Sequence, residues 1–580
     1  MTANSKSSFP ASPKLAIPGI IFLLGIMLTL WLKIFVSDGV FFSSDAGLKA
    51  LLSQQIAEQI KSVSFPLDMA LTLKQGTIDW VAESWRQGLQ PIVPPFAYEL
   101  RDQLFIAFPF IFPLVTAPFY ALFGESGLYI VPILALWMIW GRFWQIGLRA
   151  GWDAASLSLG LFALIFAAPL SLYGSTYWEH TLAAALAFWG ITALLYPRHA
   201  ATLFPYLTGT RLLLSGVLIG LSVWFRPEFL CVAIAVFLLT CCGWLFHQWR
   251  LMTPLSGVDV FVFTGSAICT VGVFLALNYG VYGHPLGLHG LQIVDNVAAT
   301  ISLPQAKAGY GQMLLGLWRY FPIAALVFAA ALCSPEFKRS SLKTTNRFRG
   351  FKTPNVEEIG IISPAQHEPQ PGRAILFICF WVALLVPLLM SAGIGGRQWG
   401  PRLYLILMPL LSIVLAEQLR VGFFQDWARR LMLIGTAIAM AFGIHMNTLN
   451  GAFNLYQDPA TRSTSLWANY VSVEPALTSL RAQPSPWIAT NTQFVAHQFW
   501  SALPDKTFFR TQTSDALKQL ADTLAEQEES AFTYVCAASQ NCPLASELSG
   551  ELTLESGRAL SVESVGQFGR YLLYTVEITP

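Results

Sequence analysis

The chain has 580 residues, of which 54% are hydrophobic and only 12% are charged, and its formal net charge is +2. A soluble globular protein carries about 25% charged residues, so the composition excludes an ordinary soluble enzyme. The apolar residues gather in runs of about 20, the length of a helix that crosses a bilayer core. The sequence predicts an all-α polytopic membrane protein, and its scattered basic residues predict no nucleic-acid partner.

The first apolar run, residues 17–36, is predicted to be an uncleaved membrane anchor. It is too long for the core of a signal peptide, and no small-x-small cleavage site follows it. Lys6 and Lys14 precede it, and basic residues mark the cytoplasmic side of a membrane. We therefore expect residues 1–16 in the cytoplasm and the protein in a bacterial inner membrane.

The outer loop that follows, residues 37–126, is predicted to contain juxtamembrane helices. From Ser44 or Asp45 onward, apolar residues recur at helical spacing with polar residues opposite them, which indicates an amphipathic helix on the bilayer surface. The apolar face consists of Leu48, Leu51, Leu52, Ile56 and Ile60, and the polar face of Lys49, Gln54, Gln55, Glu58 and Gln59.

The apolar segment 104–124 later in this loop decides the topology. It is long enough to span the membrane, but it contains Pro109, Pro113 and Pro118, and each proline costs about 3 kcal/mol inside a helix. We therefore predict a kinked, half-embedded hairpin on the outer face. The basic clusters, of which the richest lies within residues 338–352, then all fall on the cytoplasmic side.

Ten further apolar segments complete a predicted transmembrane domain over residues 17–448. With the anchor they make about 11 helices and place the C-terminus outside. The predicted spans are 127–149, 155–173, 179–196, 211–225, 227–246, 258–280, 311–333, 373–391, 401–419 and 428–446. Residues 340–372 are polar and contain several prolines, which predicts a flexible cytoplasmic loop.

From about residue 449 the composition becomes that of a soluble domain. Residues 487–490, 532–536 and 571–576 have the pattern of strands, and residues 515–526 have a helical period. Residues 449–580 are therefore predicted to form a small α/β domain outside the membrane. The spacing of Cys536 and Cys542 allows a disulfide in an oxidising compartment.

Four polar groups fall on the outer face in this topology. Charged residues at membrane depth face a polar cavity or a partner, and the planar fork of arginine suits phosphate. Structural roles remain open for each: a helix cap at Asp45, interfacial side chains, an Arg–Glu clamp and snorkelling arginines. The groups are Asp45 with Lys49, Glu179 with His180, Arg226 with Glu228, and Arg397, Gln398, Trp399 and Arg402 in a glycine-rich loop.

One carboxylate near a surface helix and at least three arginines on the same face suit transfer from an anionic, lipid-linked donor. The carboxylate would act as a base toward the acceptor, and the cations would stabilise the departing phosphate. No residues have metal-ligand spacing, so the sequence indicates no cofactor and leaves a need for a divalent metal open.

Over residues 17–446 the chain resembles the GT-C superfamily of membrane glycosyltransferases, most of all its protein O-mannosyltransferase and aminoarabinose transferase branch. Four features carry the resemblance: Ser44-Asp45-Ala46-Gly47, the helix start Tyr177-Trp178-Glu179-His180, the junction Arg226-Pro227-Glu228, and Gly396-Arg397-Gln398-Trp399-Gly400-Pro401-Arg402. The order of these features along the chain is more specific than any one of them.

The resemblance implies an inverting transfer from a polyprenyl-phosphate sugar to a glycan, lipid or protein acceptor, with Asp45 deprotonating the acceptor hydroxyl. Many members have a second acid where this chain has Ala46, which leaves the second carboxylate open, with Glu179 the first choice and Asp38 behind it. The donor phosphate would be held by Arg226, Arg397 and Arg402, and substrates would be contacted by His180, Glu228, Gln398, Trp399 and Lys49.

Two other functions fit the same topology. A transporter or flippase of lipid-linked glycans would have internal repeats and charges along a central path, whereas here no repeat is evident and the polar groups collect on one face. A non-catalytic membrane assembly subunit with the same fold would keep its function without Asp45.

Overall fold

A helical body and a C-terminal sheet domain make up the structure. The computed structural model describes residues 16–36, 38–41, 43–196, 208–245, 255–290, 303–333, 371–389, 399–420, 426–452, 468–537, 542, 552–554 and 556–579.

The helices of the body vary from 5 to 26 residues in length. In chain order they are α1 (Ala16–Phe35), α2 (Ser44–Lys61), α3 (Asp79–Ser84), α4 (Ile111–Phe123), α5 (Ile130–Arg149), α6 (Ala154–Phe166), α7 (Leu170–Gly174), α8 (His180–Leu195), α9 (Thr208–Phe225), α10 (Leu230–Leu245), α11 (Gly257–Tyr282), α12 (Leu303–Tyr320), α13 (Ile323–Cys333), α14 (Pro371–Leu389), α15 (Leu407–Leu419) and α16 (Asp426–Ile444).

Six helical stretches among the described residues are long and apolar enough to cross a membrane. A seventh candidate is the pair Gly311–Tyr320 and Ile323–Leu332, which meets at a 97° bend. Four other predicted spans form apolar helices of 10–17 residues, shorter than the about 20 residues that cross a bilayer core. The polytopic helical fold is therefore confirmed, and the count of 11 spans is not.

The outer surface of several of these helices is apolar, as a lipid-facing surface requires. On α11, Val258, Phe261 and Ile268 are each at least two-thirds exposed. On α16, Ile434 and Ile438 are more than half exposed. Exposed apolar patches of this kind mark a membrane contact rather than an ordinary soluble surface.

The proline-rich segment forms a strand followed by a single helix, α4. Residues 103–106 are β2, which pairs in antiparallel fashion with β1 (Ala97–Leu100), so the helix begins only at Ile111. At the end of α4, Gly124 has a φ of +60°, which a glycine adopts without strain. Gly127 packs on the carbonyl of Phe119, where a Cβ would lie 2.1 Å from the oxygen, so the chain turns back before α5.

Helix α2 begins at Ser44 as the sequence predicts, but it does not lie on an open bilayer surface. It packs between α4 and the C-terminal domain, and residues on both of its faces are buried. At Gly47 an added Cβ would lie 1.8 Å from the carbonyl oxygen of His497. The prediction that Lys49 belongs to an exposed polar face is wrong, because its side chain is 1% exposed and paired inside the protein.

The C-terminal domain contains a six-stranded mixed sheet in the order β4-β3-β5-β8-β7-β6. Strand β3 pairs in parallel with β4 and β5, and the remaining pairs are antiparallel. Its elements are α17 (Ala468–Ala482), β3 (Trp487–Thr490), α18 (Gln493–Gln498), β4 (Thr507–Arg510), α19 (Ser514–Glu526), β5 (Ala531–Ala537), β6 (Leu552–Thr553), β7 (Ala559–Phe568) and β8 (Tyr571–Thr579).

The predicted sheet domain is thus confirmed. Leu517, Leu520 and Leu524 are buried on one face of α19, as their spacing predicts, and Thr513 caps the helix by accepting a hydrogen bond from the amide of Ala516. Cys536 and Cys542 are joined by a disulfide.

Candidate active site

Asp45 lies in the first turn of α2, with its side chain 15% exposed. Its Oδ2 atom is 3.7 Å from the ammonium nitrogen of Lys49. Its Oδ1 atom is buried and has no hydrogen-bond partner in the described part of the chain. The helix-cap role left open by the sequence would use this carboxylate as an acceptor of backbone hydrogen bonds, so the unpaired oxygen favours another role.

Lys49 and Glu179 form a buried ion pair that connects α2 to the turn before α8. The ammonium nitrogen of Lys49 donates to both carboxylate oxygens of Glu179, at 2.8 and 3.0 Å. The exposed fractions of the two side chains are 1% and 3%. The ring of Phe108 lies 4.6 Å below the same ammonium and adds a cation–π contact.

Arg226 continues this chain of charges from α9 toward α10. Its Nη1 atom donates to Glu179 at 3.0 Å, and its Nε atom donates to Glu228 at 2.6 Å. Pro227 follows directly and cannot continue the α9 hydrogen-bond ladder, so the helix ends here and both charged side chains emerge at one junction. The Arg–Glu clamp, one of the roles that the sequence leaves open, is therefore present, and it also includes Glu179.

His180 lies beside this network, in a site that is 1% exposed. Neither ring nitrogen has a hydrogen-bond partner among the described residues. The imidazole packs between the rings of Trp178, at 4.8 Å, and Tyr173, at 5.9 Å. An imidazole without a partner inside a protein is uncommon and leaves a donor and an acceptor available to a bound molecule or water.

The loop before α15 packs against the same turn. The guanidinium carbon of Arg402 lies 5.8 Å from the Trp178 ring. The backbone amide of Trp399 donates to the Tyr173 hydroxyl at 3.2 Å, and its indole nitrogen donates to Asn447 at 3.2 Å. Arg402 and Trp399 thus lie near His180 and Glu179, while Arg397 and Gln398 lie outside the described residues.

Three hydroxyl groups lie on the side of this network nearest α4, and only one of them, Tyr177, belongs to a motif that the sequence singled out. The hydroxyls of Ser53, Thr116 and Tyr177 form a closed triangle with oxygen separations of 2.8, 3.0 and 3.1 Å. Ser53 comes one helical turn after Lys49, and Tyr177 comes two residues before Glu179. Neutral hydroxyl residues are too common in sequences for this spacing to have identified them.

The charges around Asp45 nearly balance. Asp45, Glu179 and Glu228 pair with Lys49 and Arg226, and Arg402 lies nearby against Trp178, so the described part of the site has no large excess of either sign. Across the ranges that the structure describes, no three His, Cys, Asp or Glu side chains are close enough to hold a metal ion together.

The fold and this network define a polytopic helical membrane protein with buried charges and a C-terminal sheet domain. No family model and no curated protein significantly matches the sequence. Solved structures similar to it include ArnT from Cupriavidus metallidurans bound to undecaprenyl phosphate, at 12% identity and a TM-score of 0.49 over 96% of this chain and 97% of that one.

A second similar structure is an oligosaccharyltransferase from Archaeoglobus fulgidus in complex with zinc and sulfate, at 11% identity and a TM-score of 0.49 over 90% of this chain and 68% of that one. Identities and TM-scores this low do not assign a function, which has to come from the site itself.

Proposed function

We propose that this protein transfers a glycosyl group from a polyprenyl-phosphate sugar to an acceptor hydroxyl at the extracytoplasmic face of the membrane. The observation that supports this most is the carboxylate of Asp45, with one oxygen unpaired and the other 3.7 Å from Lys49. A base placed beside fixed cations can take a proton from an acceptor while the cations stabilise a departing anion.

In the proposed reaction, Asp45 accepts the proton of the acceptor hydroxyl. The acceptor oxygen attacks the anomeric carbon as the bond from that carbon to the phosphate oxygen breaks, and attack from the opposite side inverts the configuration. The phosphate leaves with the electron pair of the broken bond. Positioned acid–base catalysis of this kind contributes about 100-fold to 10,000-fold to a rate.

The ion pairs suggest different duties for the arginines. Arg226 already lies between Glu179 and Glu228, at 3.0 and 2.6 Å, so its charge is balanced without a ligand. We therefore assign Arg226 to positioning, and the donor phosphate to Arg402 together with Arg397. His180, with both ring nitrogens unpaired next to Trp178, is the proposed polar contact to the donor.

Glu179 has a positioning role in this proposal rather than that of a second base. Its carboxylate accepts from both Lys49 and Arg226, and an anion held by two cations is a poor proton acceptor. Lys49 in turn lies between Glu179 and Asp45, and in this proposal it orients the carboxylate of Asp45.

The proposed topology places the N-terminus in the cytoplasm and the C-terminal domain outside a bacterial inner membrane. This orientation rests on the 11 spans that the sequence predicts, of which seven are candidate spans among the described residues and four are shorter apolar helices. A reporter fused after Pro580 tests this orientation, because a cytoplasmic signal would contradict it.

Reconstitution of the purified protein with a set of defined polyprenyl-phosphate sugars tests the activity. The acceptor to add is identified by comparing envelope glycans of wild-type and deletion strains by mass spectrometry. With donor and acceptor both present, wild-type protein should release polyprenyl phosphate and form a glycosylated acceptor. If lipid-linked glycan crosses the bilayer of the vesicles with no sugar transferred, the protein is a flippase.

A further inference from the structure

A cavity of about 750 Å³ lies where α1, the start of α5 and helix α17 of the C-terminal domain meet. None of the residues that line it belongs to the charge network around Asp45. Its volume is within the range of about 300–1,000 Å³ that is usual for ligand sites. Its walls combine apolar side chains with Lys33, Asp38, Glu474 and Arg481.

An exposed apolar surface leads along α1 into this cavity. Ile34 and Phe123 both line the cavity and are 78% and 59% exposed. The face below is formed by side chains that recur every three or four residues, which places them along one side of the helix. They are Ile17, Ile20, Leu24, Met27 and Leu30, each more than 40% exposed. Such a surface suits acyl chains in a membrane.

The charges of the cavity have both signs, two of each. Lys33 pairs with Asp38 and also lies 4.5 Å from the Tyr129 ring. Glu474 and Arg481 are both exposed and lie two turns apart on α17, so both face the same space. A purely anionic headgroup would meet Asp38 and Glu474, and a purely cationic one would meet Lys33 and Arg481. A headgroup with both charges satisfies the site.

We propose that this cavity binds a zwitterionic phospholipid whose headgroup has a phosphate and a primary ammonium. The phosphate faces Arg481, the ammonium faces Glu474, and the acyl chains follow the apolar face of α1, while the Lys33–Asp38 pair lines the cavity beside the headgroup. A primary ammonium donates three hydrogen bonds to carboxylates, which a quaternary ammonium cannot do. The lipid would thereby connect the anchor helix to the C-terminal domain, independently of glycosyl transfer.

Native mass spectrometry of the full chain in detergent tests the proposal with three lipids of identical acyl chains. Phosphatidylethanolamine should bind about tenfold more tightly than phosphatidylcholine or phosphatidylglycerol, because about one additional charge-assisted hydrogen bond gives an affinity gain of that size. Equal binding of the three lipids would overturn the proposal. So would equally tight binding of soluble glycerophosphoethanolamine, since that compound has the headgroup without the acyl chains.

Two variants separate the two halves of the headgroup. Glu474→Gln should reduce the preference for phosphatidylethanolamine over phosphatidylcholine to less than about threefold. Arg481→Gln should lower the affinity for all three lipids about tenfold. Glu526→Gln and Arg558→Gln, which change exposed residues of the same domain outside the cavity, are the matched controls and should bind as wild type. Unchanged lipid binding in Glu474→Gln or Arg481→Gln contradicts the assigned contacts.

Discussion

The ammonium nitrogen of Lys49 lies 2.8 Å from a carboxylate oxygen of Glu179, a residue 130 positions further along the chain. Both side chains are buried, so this pair fixes α2 against the turn that begins α8. The same ammonium is 3.7 Å from Asp45. One lysine therefore connects the proposed base to the charges at the α9–α10 junction.

The Lys49–Glu179 pair should show strong coupling in a double-mutant cycle. Lys49→Met and Glu179→Gln should each destabilise the protein by about 3–5 kcal/mol, because each leaves a buried charge with one opposite charge fewer. The destabilisation of the double variant, measured by unfolding in detergent, should be about 1–3 kcal/mol smaller than the sum of the two single-variant effects. If the two effects simply add, Lys49 and Glu179 do not interact as the structure shows.

An exposed ion pair provides the control for that cycle. Arg86 and Glu83 pair on the surface with side chains that are 70% and 50% exposed. Arg86→Gln should change stability by less than about 1 kcal/mol, because solvent screens such pairs.

Arg402 and Arg226 should differ in their effects on the kinetics of transfer. Arg402→Gln should raise the KM for the polyprenyl-phosphate donor about tenfold or more, since it removes a charged hydrogen-bond donor to phosphate. Arg226→Gln should mainly reduce stability, because it leaves Glu179 and Glu228 with one cation fewer. If Arg226→Gln alone raises the donor KM while remaining as stable as wild type, the division of roles is wrong.

The hydroxyl triangle should contribute modestly to stability. Tyr177→Phe removes its hydrogen bonds to Ser53 and Thr116 while those two remain bonded to each other. We expect a loss of about 1–2 kcal/mol in unfolding experiments. Tyr279→Phe, at an exposed position of α11, should have no measurable effect. Equal effects of the two substitutions would argue against the triangle.

The contact between α2 and the C-terminal domain should weaken in acid. Burial of His497 lowers its pKa from 6.5 to about 3. Below about pH 6.5 the unfolded chain therefore binds a proton at this residue that the folded chain excludes. The free energy of unfolding should keep its full value above about pH 6.5 and fall by about 1.4 kcal/mol per pH unit as the pH is lowered toward 3.

Unfolding curves between pH 7.5 and 4.5 measure this dependence. In the His497→Gln protein, the slope of the unfolding free energy against pH should correspond to about one fewer proton bound on unfolding. His445→Gln, at an exposed position, should leave this slope unchanged. A wild-type slope in the His497→Gln protein would contradict the assignment.

Hydropathy and local spacing were sufficient to predict the membrane class, a start of α2 at Ser44 or Asp45, and the sheet domain. They also placed Asp45, Glu179, Arg226 and Arg402 on one face, because charges that interrupt apolar runs are easily seen in sequence. The burial of Lys49 could not be predicted, since a helical pattern assigns it to a polar face and its partner lies 130 residues away. The contact between Gly47 and the carbonyl of His497 depends on tertiary packing alone.

The rate of sugar transfer by the Asp45→Asn protein tests the central claim most directly. The substitution keeps the shape of the side chain and removes its basicity, so transfer should fall about 100-fold to 10,000-fold while folding and donor binding remain as in wild type. Asp79→Asn, an exposed acid in the first turn of α3 in the same loop, is the matched control and should keep full activity. Transfer by the Asp45→Asn protein at the wild-type rate would show that Asp45 is not the base.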